Sequence, residues 1–133
     1  MYQVTKVIHF CYGHRLLNYN GPCAHPHGHN GKVEIELSRV QLDERGMVQD
    51  FSEIKDRIKK WIDTTLDHRM LLHKDDVMIP FLDQQKEPYY RLDENPTAEN
   101  IAKLILKYAK AQGFPVTAVR LWETESSFAV YRE

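Results

Sequence analysis

Alternation of apolar and polar residues predicts strands near both ends of the chain. The stretch from Tyr2 to Tyr12 is rich in β-branched and aromatic residues, and from Lys32 to Leu42 apolar residues occupy every second position at first. The stretches from Val116 to Thr124 and from Ser127 to Arg132 have the same character and are separated only by residues 125–126. We therefore expect two pairs of strands, the second pair joined tightly.

Two stretches with apolar residues three and four positions apart predict helices. The first begins at Asp50, where Glu53 has the spacing of a capping box. The second begins in NPTAEN, where Asn95 or Thr97 can cap the first turn, and it ends near Gly113. The apolar positions are Phe51, Ile54, Ile58, Trp61, Ile62 and Leu66 in the first helix and Ile101, Leu104, Ile105 and Tyr108 in the second.

The order strand, strand, helix, helix, strand, strand predicts an α+β domain spanning residues 1–133. Both helices should lie on one face of an antiparallel four-stranded sheet. Residues 69–94 contain Pro80 and Pro88 and no sustained periodicity, so we expect a long excursion with one helical turn, suited to a lid or an interface. Because a four-stranded sheet has two open edges, pairing of those edges between subunits is expected.

Composition narrows the class of protein. The chain has 133 residues, 42% of them hydrophobic and 28% charged, with a formal net charge of −1, as in an ordinary globular domain. Basic residues are scattered, so neither nucleic acid nor an anionic membrane is an expected partner. The N-terminal MYQVTKVIHF lacks the pattern of a signal peptide, and no apolar run approaches the roughly 20 residues of a membrane span. We expect a cytoplasmic protein.

The connection between the first two strands, residues 13–31, is histidine-rich and far longer than a hairpin turn. In an extended segment, residues two apart point the same way, so His27 and His29 can present both imidazoles to one metal ion. A third ligand can come from His14 at the end of the preceding strand. Three histidines suit Zn²⁺ and leave one coordination position open.

The other histidines fit a metal site less well. His25 lies two residues before His27, but Pro26 constrains the backbone and makes a regular strand through His25 unfavourable. His9 and His73 are isolated in the sequence, and a lone histidine is more often a surface or hydrogen-bonded side chain. We therefore expect none of these three side chains to bind the metal.

Cys23 has three interpretations that the residues alone leave open. It is an inert thiol, a fourth ligand that closes a structural zinc site, or a base beside a catalytic metal. Nearby histidines and a metal favour the thiolate, and with it the second and third interpretations. A disulfide between Cys23 and Cys11 is not expected in a reducing compartment.

Several motifs together identify a family. CAHPHGH resembles the C-x-x-x-H-G-H signature of the 6-pyruvoyl-tetrahydropterin synthase superfamily, and FCYGH, GMVQDF, LDH, PTAEN and WET occur in the order typical of that superfamily. The resemblance runs from Val7 to Tyr131. Cys23 lies four residues before His27, which resembles the bacterial 6-carboxy-tetrahydropterin synthases of the queuosine and 7-deazapurine pathway.

The resemblance implies a fold, an assembly and a set of residue roles. The fold would be the tunnelling fold (T-fold), in which subunits form a trimeric barrel and two trimers stack into a homohexamer with active sites between subunits. The site would use Zn²⁺, a proton relay and a carboxylate that binds the pterin. The implied roles are metal ligation by His14, His27 and His29, proton transfer by Cys23, Asp67 and His68, pterin anchoring by Glu123 and substrate contact by Thr97.

The implied reaction converts 7,8-dihydroneopterin triphosphate to 6-carboxy-5,6,7,8-tetrahydropterin, acetaldehyde and triphosphate. Two other activities remain open, formation of 6-pyruvoyl-tetrahydropterin and cleavage of the pterin side chain, and so does a non-catalytic protein with a closed Cys/His zinc site. Arg15 and Arg69 flank the implied site residues and are candidates for binding the triphosphate. The chain departs from the family at FCYGH, at Gly31 and in residues 69–94, and these departures bear on substrate choice.

Overall fold

The computed structural model describes residues 1–133 and contains one six-stranded sheet. The strand order across the sheet is β4-β3-β1-β2-β5-β6. The central pair, β1 and β2, is antiparallel and is paired over the full length of both strands. The strands are β1 (Tyr2–His14), β2 (His27–Arg39), β3 (Arg69–His73), β4 (Tyr89–Leu92), β5 (Val116–Thr124) and β6 (Ser127–Arg132).

Three helices accompany the sheet. Helix α1 covers residues 51–65 and contains a π-helical segment, Lys55–Lys59, while α2 is Met78–Gln85 and α3 is Ala98–Ala111. The side chain of Asp50 caps α1 by accepting a hydrogen bond from the backbone N–H of Ser52, as its position in the sequence predicts. None of the helices has the length and apolar character needed to cross a membrane.

The prediction of a four-stranded antiparallel sheet is wrong. Residues 69–94 are not an excursion with a single helical turn but form β3, α2 and β4, so the element order is ββαβαβαββ. Strands β3 and β4 pair in parallel, β3 with β1 and β4 with β3, which makes the sheet mixed. The two strands span only five and four residues, too few for a periodic pattern to emerge.

The core lies between the helices and one face of the sheet. In β1, Ile8, Phe10, Tyr12 and His14 are buried and face the helices, whereas Cys11 faces the other way and is exposed. The apolar positions predicted for the two helices are mostly buried. Phe51 is exposed, and three others are half-buried: Trp61, Leu104 and Tyr108. The row of core-facing residues in β1 therefore ends in a histidine rather than an apolar side chain.

Candidate metal centre and neighbouring groups

The structure brings three histidines together at one end of the β1–β2 pair. His14 is the last residue of β1, and His27 and His29 are the first and third residues of β2. In the antiparallel register His14 lies opposite His27, and Tyr12 lies opposite His29, so the three imidazoles share the helix-facing side of the sheet. One ring nitrogen of each residue lies within 4.8 Å of the others.

Two backbone carbonyls orient the histidine rings. Nδ1 of His14 lies 2.7 Å from the carbonyl oxygen of Pro96, and Nδ1 of His27 lies 2.7 Å from that of His25. A carbonyl can only accept, so both Nδ1 atoms carry the hydrogen and both Nε2 atoms keep a lone pair. His14 is only 2% exposed, and burial lowers its pKa, which favours the neutral ring that a metal requires.

Buried polar atoms without a hydrogen-bond partner concentrate in this pocket. Four side-chain atoms of this kind occur in the chain, and three of them are Nε2 of His14, Nε2 of His29 and the hydroxyl of Tyr12. Nε2 of His29 lies 3.0 Å from Oε2 of Glu123, but the contact lacks hydrogen-bond geometry. Because native proteins rarely leave buried polar atoms unpaired, this concentration indicates a place where a ligand binds.

The donor set fits Zn²⁺. Three imidazole nitrogens converge, two of the rings are held by carbonyls in the manner of zinc-binding histidines, and Nε2 of His14 and of His29 has no hydrogen-bond partner. Neither Cys23 nor Glu123 joins the group of converging ligand atoms. The arrangement is therefore that of an open site with three protein ligands, not of a closed site with four.

Cys23 lies outside the histidine cluster, on the connection that leads into β2. It is the middle residue of a short 3₁₀ turn, Pro22–Ala24, and its carbonyl accepts a hydrogen bond of 2.8 Å from the N–H of Leu16. Its thiol is half-buried and free, and the exposed Cys11 is likewise in no disulfide. The interpretation of Cys23 as a fourth ligand thus finds no support in this geometry.

Asp67 and His68 form a hydrogen-bonded pair immediately before β3. Nδ1 of His68 lies 2.6 Å from Oδ2 of Asp67, and His68 adopts a left-handed conformation with φ of 59°. The N–H of Cys11 donates to Oδ1 of Asp67 at 2.8 Å, and the carbonyl of Cys11 accepts from the N–H of His68 at 2.7 Å. A non-glycine residue held in this conformation by backbone contacts is typical of functional sites.

The Asp67–His68 pair does not face the histidine cluster of its own chain. The side chain of His68 is 79% exposed and lines a cleft of about 620 Å³ together with Cys11 and Asn30; residues 26–29, which include His27 and His29, also border this cleft. Cys11 and Asn30 belong to the opposite side of the sheet from the metal site, as strand alternation requires. Within one chain no hydrogen bond joins this pair to Cys23.

The segment before α3 supports the site in a way that the sequence reasoning missed. Asn95 does not cap the helix; its side chain accepts from the N–H of Leu17 at 2.9 Å and donates to the carbonyl of Leu17 at 2.8 Å. Thr97 is the cap, and its hydroxyl accepts from the N–H of Asn100 at 3.2 Å. Together with the contact between Pro96 and His14, these bonds fasten the end of β1 to α3.

Both arginines considered for the triphosphate are engaged elsewhere. Arg15 forms a two-pronged ion pair with the carboxylate of Asp76, with Nε 2.8 Å from Oδ2 and Nη2 bonded to Oδ1. Arg69 donates from Nη2 to the carbonyl of Thr64 at 2.9 Å. The guanidinium of Arg15 is therefore committed to Asp76, whereas that of Arg69 keeps its charge and its other N–H groups.

Comparison with known proteins supports the resemblance seen in the motifs. Residues 3–133 match the family model described as 6-pyruvoyl tetrahydropterin synthase. The 6-carboxy-5,6,7,8-tetrahydropterin synthase of Rickettsia conorii is 39% identical over 138 aligned residues, which cover 96% of this chain and 98% of the relative. The enzyme of the same name from Haemophilus influenzae is 29% identical, with full coverage of both chains.

Solved structures agree with this assignment. An uncharacterized protein from Wolinella succinogenes superimposes with a TM-score of 0.81 at 28% identity, covering 99% of this chain and 98% of the other. The 6-pyruvoyl tetrahydropterin synthase of Caenorhabditis elegans has a TM-score of 0.72 at 24% identity, covering 99% and 95%, and so shares the T-fold. By fold, motif and sequence the chain belongs to the 6-pyruvoyl tetrahydropterin synthase family.

Proposed function

We propose that this protein is a zinc-dependent 6-carboxy-5,6,7,8-tetrahydropterin synthase of queuosine and 7-deazapurine biosynthesis. The observation that carries the proposal is the open three-histidine pocket beside Glu123, in a chain 39% identical to an enzyme of that name. The substrate would be 7,8-dihydroneopterin triphosphate, and the products 6-carboxy-tetrahydropterin, acetaldehyde and triphosphate. We place this activity in the cytoplasm, in a single domain with no nucleic-acid or membrane partner.

The three histidines would hold Zn²⁺ through their ring nitrogens, with the carbonyls of Pro96 and His25 fixing two of the rings. A bound Zn²⁺ would supply Lewis-acid stabilisation of negative charge on side-chain oxygens of the substrate. The remaining chemistry is proton transfer, for which the chain offers the thiol of Cys23 and the imidazole of His68.

Glu123 is placed to orient the pterin. Its side chain is partly exposed, and Oε2 lies 3.0 Å from a histidine of the metal pocket. A pterin presents an amino group and a ring N–H side by side, and one carboxylate accepts both. The hydroxyl of Thr97 accepts from Asn100 but keeps its own hydrogen for a substrate contact at the start of α3.

The isosteric change Glu123→Gln tests this role. An amide keeps the shape but replaces one acceptor with a donor, so we expect kcat/KM to fall about 10- to 100-fold because charge-assisted hydrogen bonds to the substrate are lost. Glu125→Gln is the control, since Glu125 is exposed at the tip of the β5–β6 turn. Steady-state kinetics with zinc content measured in parallel make the comparison, and equal effects at both positions would refute the anchoring role.

The Asp67–His68 pair would serve the pocket of a neighbouring subunit. Its imidazole lies on the face of the sheet opposite the metal pocket and projects into solvent, so a site that uses both needs a second chain. Both outer strands, β4 and β6, leave unpaired backbone groups that another copy can pair with. We therefore propose a homohexamer of two stacked trimers, with each site built at a subunit interface.

Mixing inactive variants tests the shared site. Cys23→Ala and His68→Ala should each lower turnover roughly 10²- to 10⁴-fold through loss of proton transfer, while both retain zinc. Refolding the two variants together should restore activity, because some sites then combine an intact Cys23 with an intact His68. Mixing Cys23→Ala with His14→Ala should restore none, since both defects lie in the same half of the site. The reverse pattern would contradict the assignment of groups to subunits.

Product analysis tests the activity itself. The purified, zinc-loaded protein is incubated with 7,8-dihydroneopterin triphosphate, and the products are identified by mass. Acetaldehyde and 6-carboxy-tetrahydropterin in equal amounts are expected. A 6-pyruvoyl product or a 6-hydroxymethyl product would instead assign one of the other activities of this family, and loss of zinc from Cys23→Ala would favour the closed structural site.

A further inference from the structure

The hydroxyl of Tyr12 is an additional polar group in the metal pocket. Tyr12 is 3% exposed, and its hydroxyl has no hydrogen-bond partner. The centre of its ring lies 5.2 Å from that of His14 and 5.7 Å from that of His29. The hydroxyl therefore belongs to the same group of unpaired buried atoms as the two histidine nitrogens that face the pocket.

The ring of Tyr12 is held in place by its neighbours. It stacks on Phe10 with ring centres 5.0 Å apart, and it lies over Gly31 on the adjacent strand. A Cβ at position 31 would lie 3.0 Å from Cε1 of Tyr12 and 3.3 Å from Cδ1 of Leu121, so the ring occupies the space that only glycine leaves free. A phenol enclosed in this way cannot turn its hydroxyl towards solvent.

An unpaired buried hydroxyl is costly, and phenylalanine would fill the same space without that cost. The hydroxyl loses its hydrogen bonds to water on burial, and no hydrogen bond within the protein replaces them. The penalty is removed when a ligand supplies the missing partner, as expected for a group that contacts substrate. The ring of His29, whose centre lies 5.7 Å from that of Tyr12, also contacts Glu123, the carboxylate proposed to hold the pterin.

We propose that the Tyr12 hydroxyl contacts the substrate and donates a hydrogen bond to an oxygen of the pterin side chain bound beside the three histidines. The inference rests on the proposed function in one respect, that a pterin enters this pocket. Tyr12 is then a specificity-determining residue, because it favours pterins whose side chain carries an oxygen over those whose side chain does not.

Binding of two pterins to zinc-loaded Tyr12→Phe tests the proposal without turnover. Biopterin carries hydroxyl groups on its side chain, and 6-methylpterin carries none. We expect the Kd for biopterin to rise about 3- to 10-fold in the variant, the value of one neutral hydrogen bond, and the Kd for 6-methylpterin to stay within about 2-fold. Tyr90→Phe, a half-buried tyrosine on the edge strand β4, is the control and should change neither Kd.

Thermal unfolding of the ligand-free protein completes the test. Removal of a hydroxyl without a partner should leave the Tm of Tyr12→Phe equal to or above that of the wild type. A lower Tm would show that the hydroxyl has a partner within the protein, and equal weakening of both pterins would show that it acts through Glu123. Either result overturns the proposal, as does a wild type that binds neither pterin. The wild type can show this binding pattern and still fail to convert dihydroneopterin triphosphate, so a failure of the proposed function is recognised separately.

Discussion

His14→Ala is expected to remove bound zinc and to lower turnover roughly 10³-fold or more, since the Lewis acid contributes several kcal/mol of transition-state stabilisation. The substitution deletes one of the three converging nitrogens. It also removes the hydrogen bond between Nδ1 of His14 and the carbonyl of Pro96. His27→Ala and His29→Ala should behave alike. The measurements are zinc content by elemental analysis and the steady-state rate with dihydroneopterin triphosphate.

His25→Ala is the matched control for the three ligands. His25 lies in the same histidine-rich segment, but only its backbone carbonyl takes part in the site, by accepting from His27 at 2.7 Å. Alanine keeps that carbonyl, so zinc content and rate should stay at the wild-type level. Stoichiometric zinc in His14→Ala, or its loss from His25→Ala, would show that the metal binds elsewhere.

Arg15→Gln is expected to destabilise the protein by about 3–5 kcal/mol, because it leaves a buried carboxylate without its partner. The side chain of Asp76 has an exposed fraction of 0%, and that of Arg15 has 20%. Asp76 also accepts from the N–H of Met78 at 2.8 Å, so the ion pair ties the residue after His14 to the start of α2. Denaturant unfolding of the two proteins measures the difference.

The effect of Arg15→Gln should depend on pH in a defined direction. Burial alone would raise the pKa of Asp76, but the hydrogen bonds from Arg15 and the Met78 N–H outweigh it and hold the pKa below the usual value. A carboxyl with a depressed pKa stabilises the fold above its unfolded pKa of about 3.9, and this contribution is lost as the pH falls through the folded value.

The difference in unfolding free energy between the wild type and Arg15→Gln should therefore be largest near neutral pH and shrink on acidification. The double variant Arg15→Gln/Asp76→Asn is the control, since it removes the charge that the single variant leaves buried. It should recover part of the lost stability at pH 7 and show little of the pH dependence. A difference that stays constant down to pH 3 would exclude the ion pair as its cause.

Much of the site could be predicted because its residues lie on long regular elements. The two-residue period placed His27 and His29 on one side of a strand, and the structure begins β2 at His27. The bounds predicted for β5 and β6 are confirmed. The second strand was predicted to run from Lys32 to Leu42, but it starts five residues earlier than predicted and ends at Arg39.

The other parts of the fold and of the site depend on long-range contacts, which no local sequence pattern indicates. β3 and β4 are recognisable only through their pairing, β3 with β1 and β4 with β3, which joins residues far apart in the sequence. The two hydrogen bonds between the side chain of Asn95 and the backbone of Leu17 join residues 78 positions apart. Tyr12 was within reach of sequence reasoning, because it precedes His14 by two residues and so shares its side of β1, but its place in the pocket also depends on the absence of a side chain at Gly31.

The location of all three histidines on neighbouring strands has a consequence for folding. His14 and His27 are opposite one another at the loop end of the β1–β2 hairpin, so a bound metal would cross-link the two ends of the loop formed by residues 15–26. Closing that loop early lowers the entropy of the unfolded chain as well as stabilising the folded one. Zinc would then act as a folding nucleus for the central hairpin, to which β3, with Asp67 and His68, is added only after a much longer loop has closed.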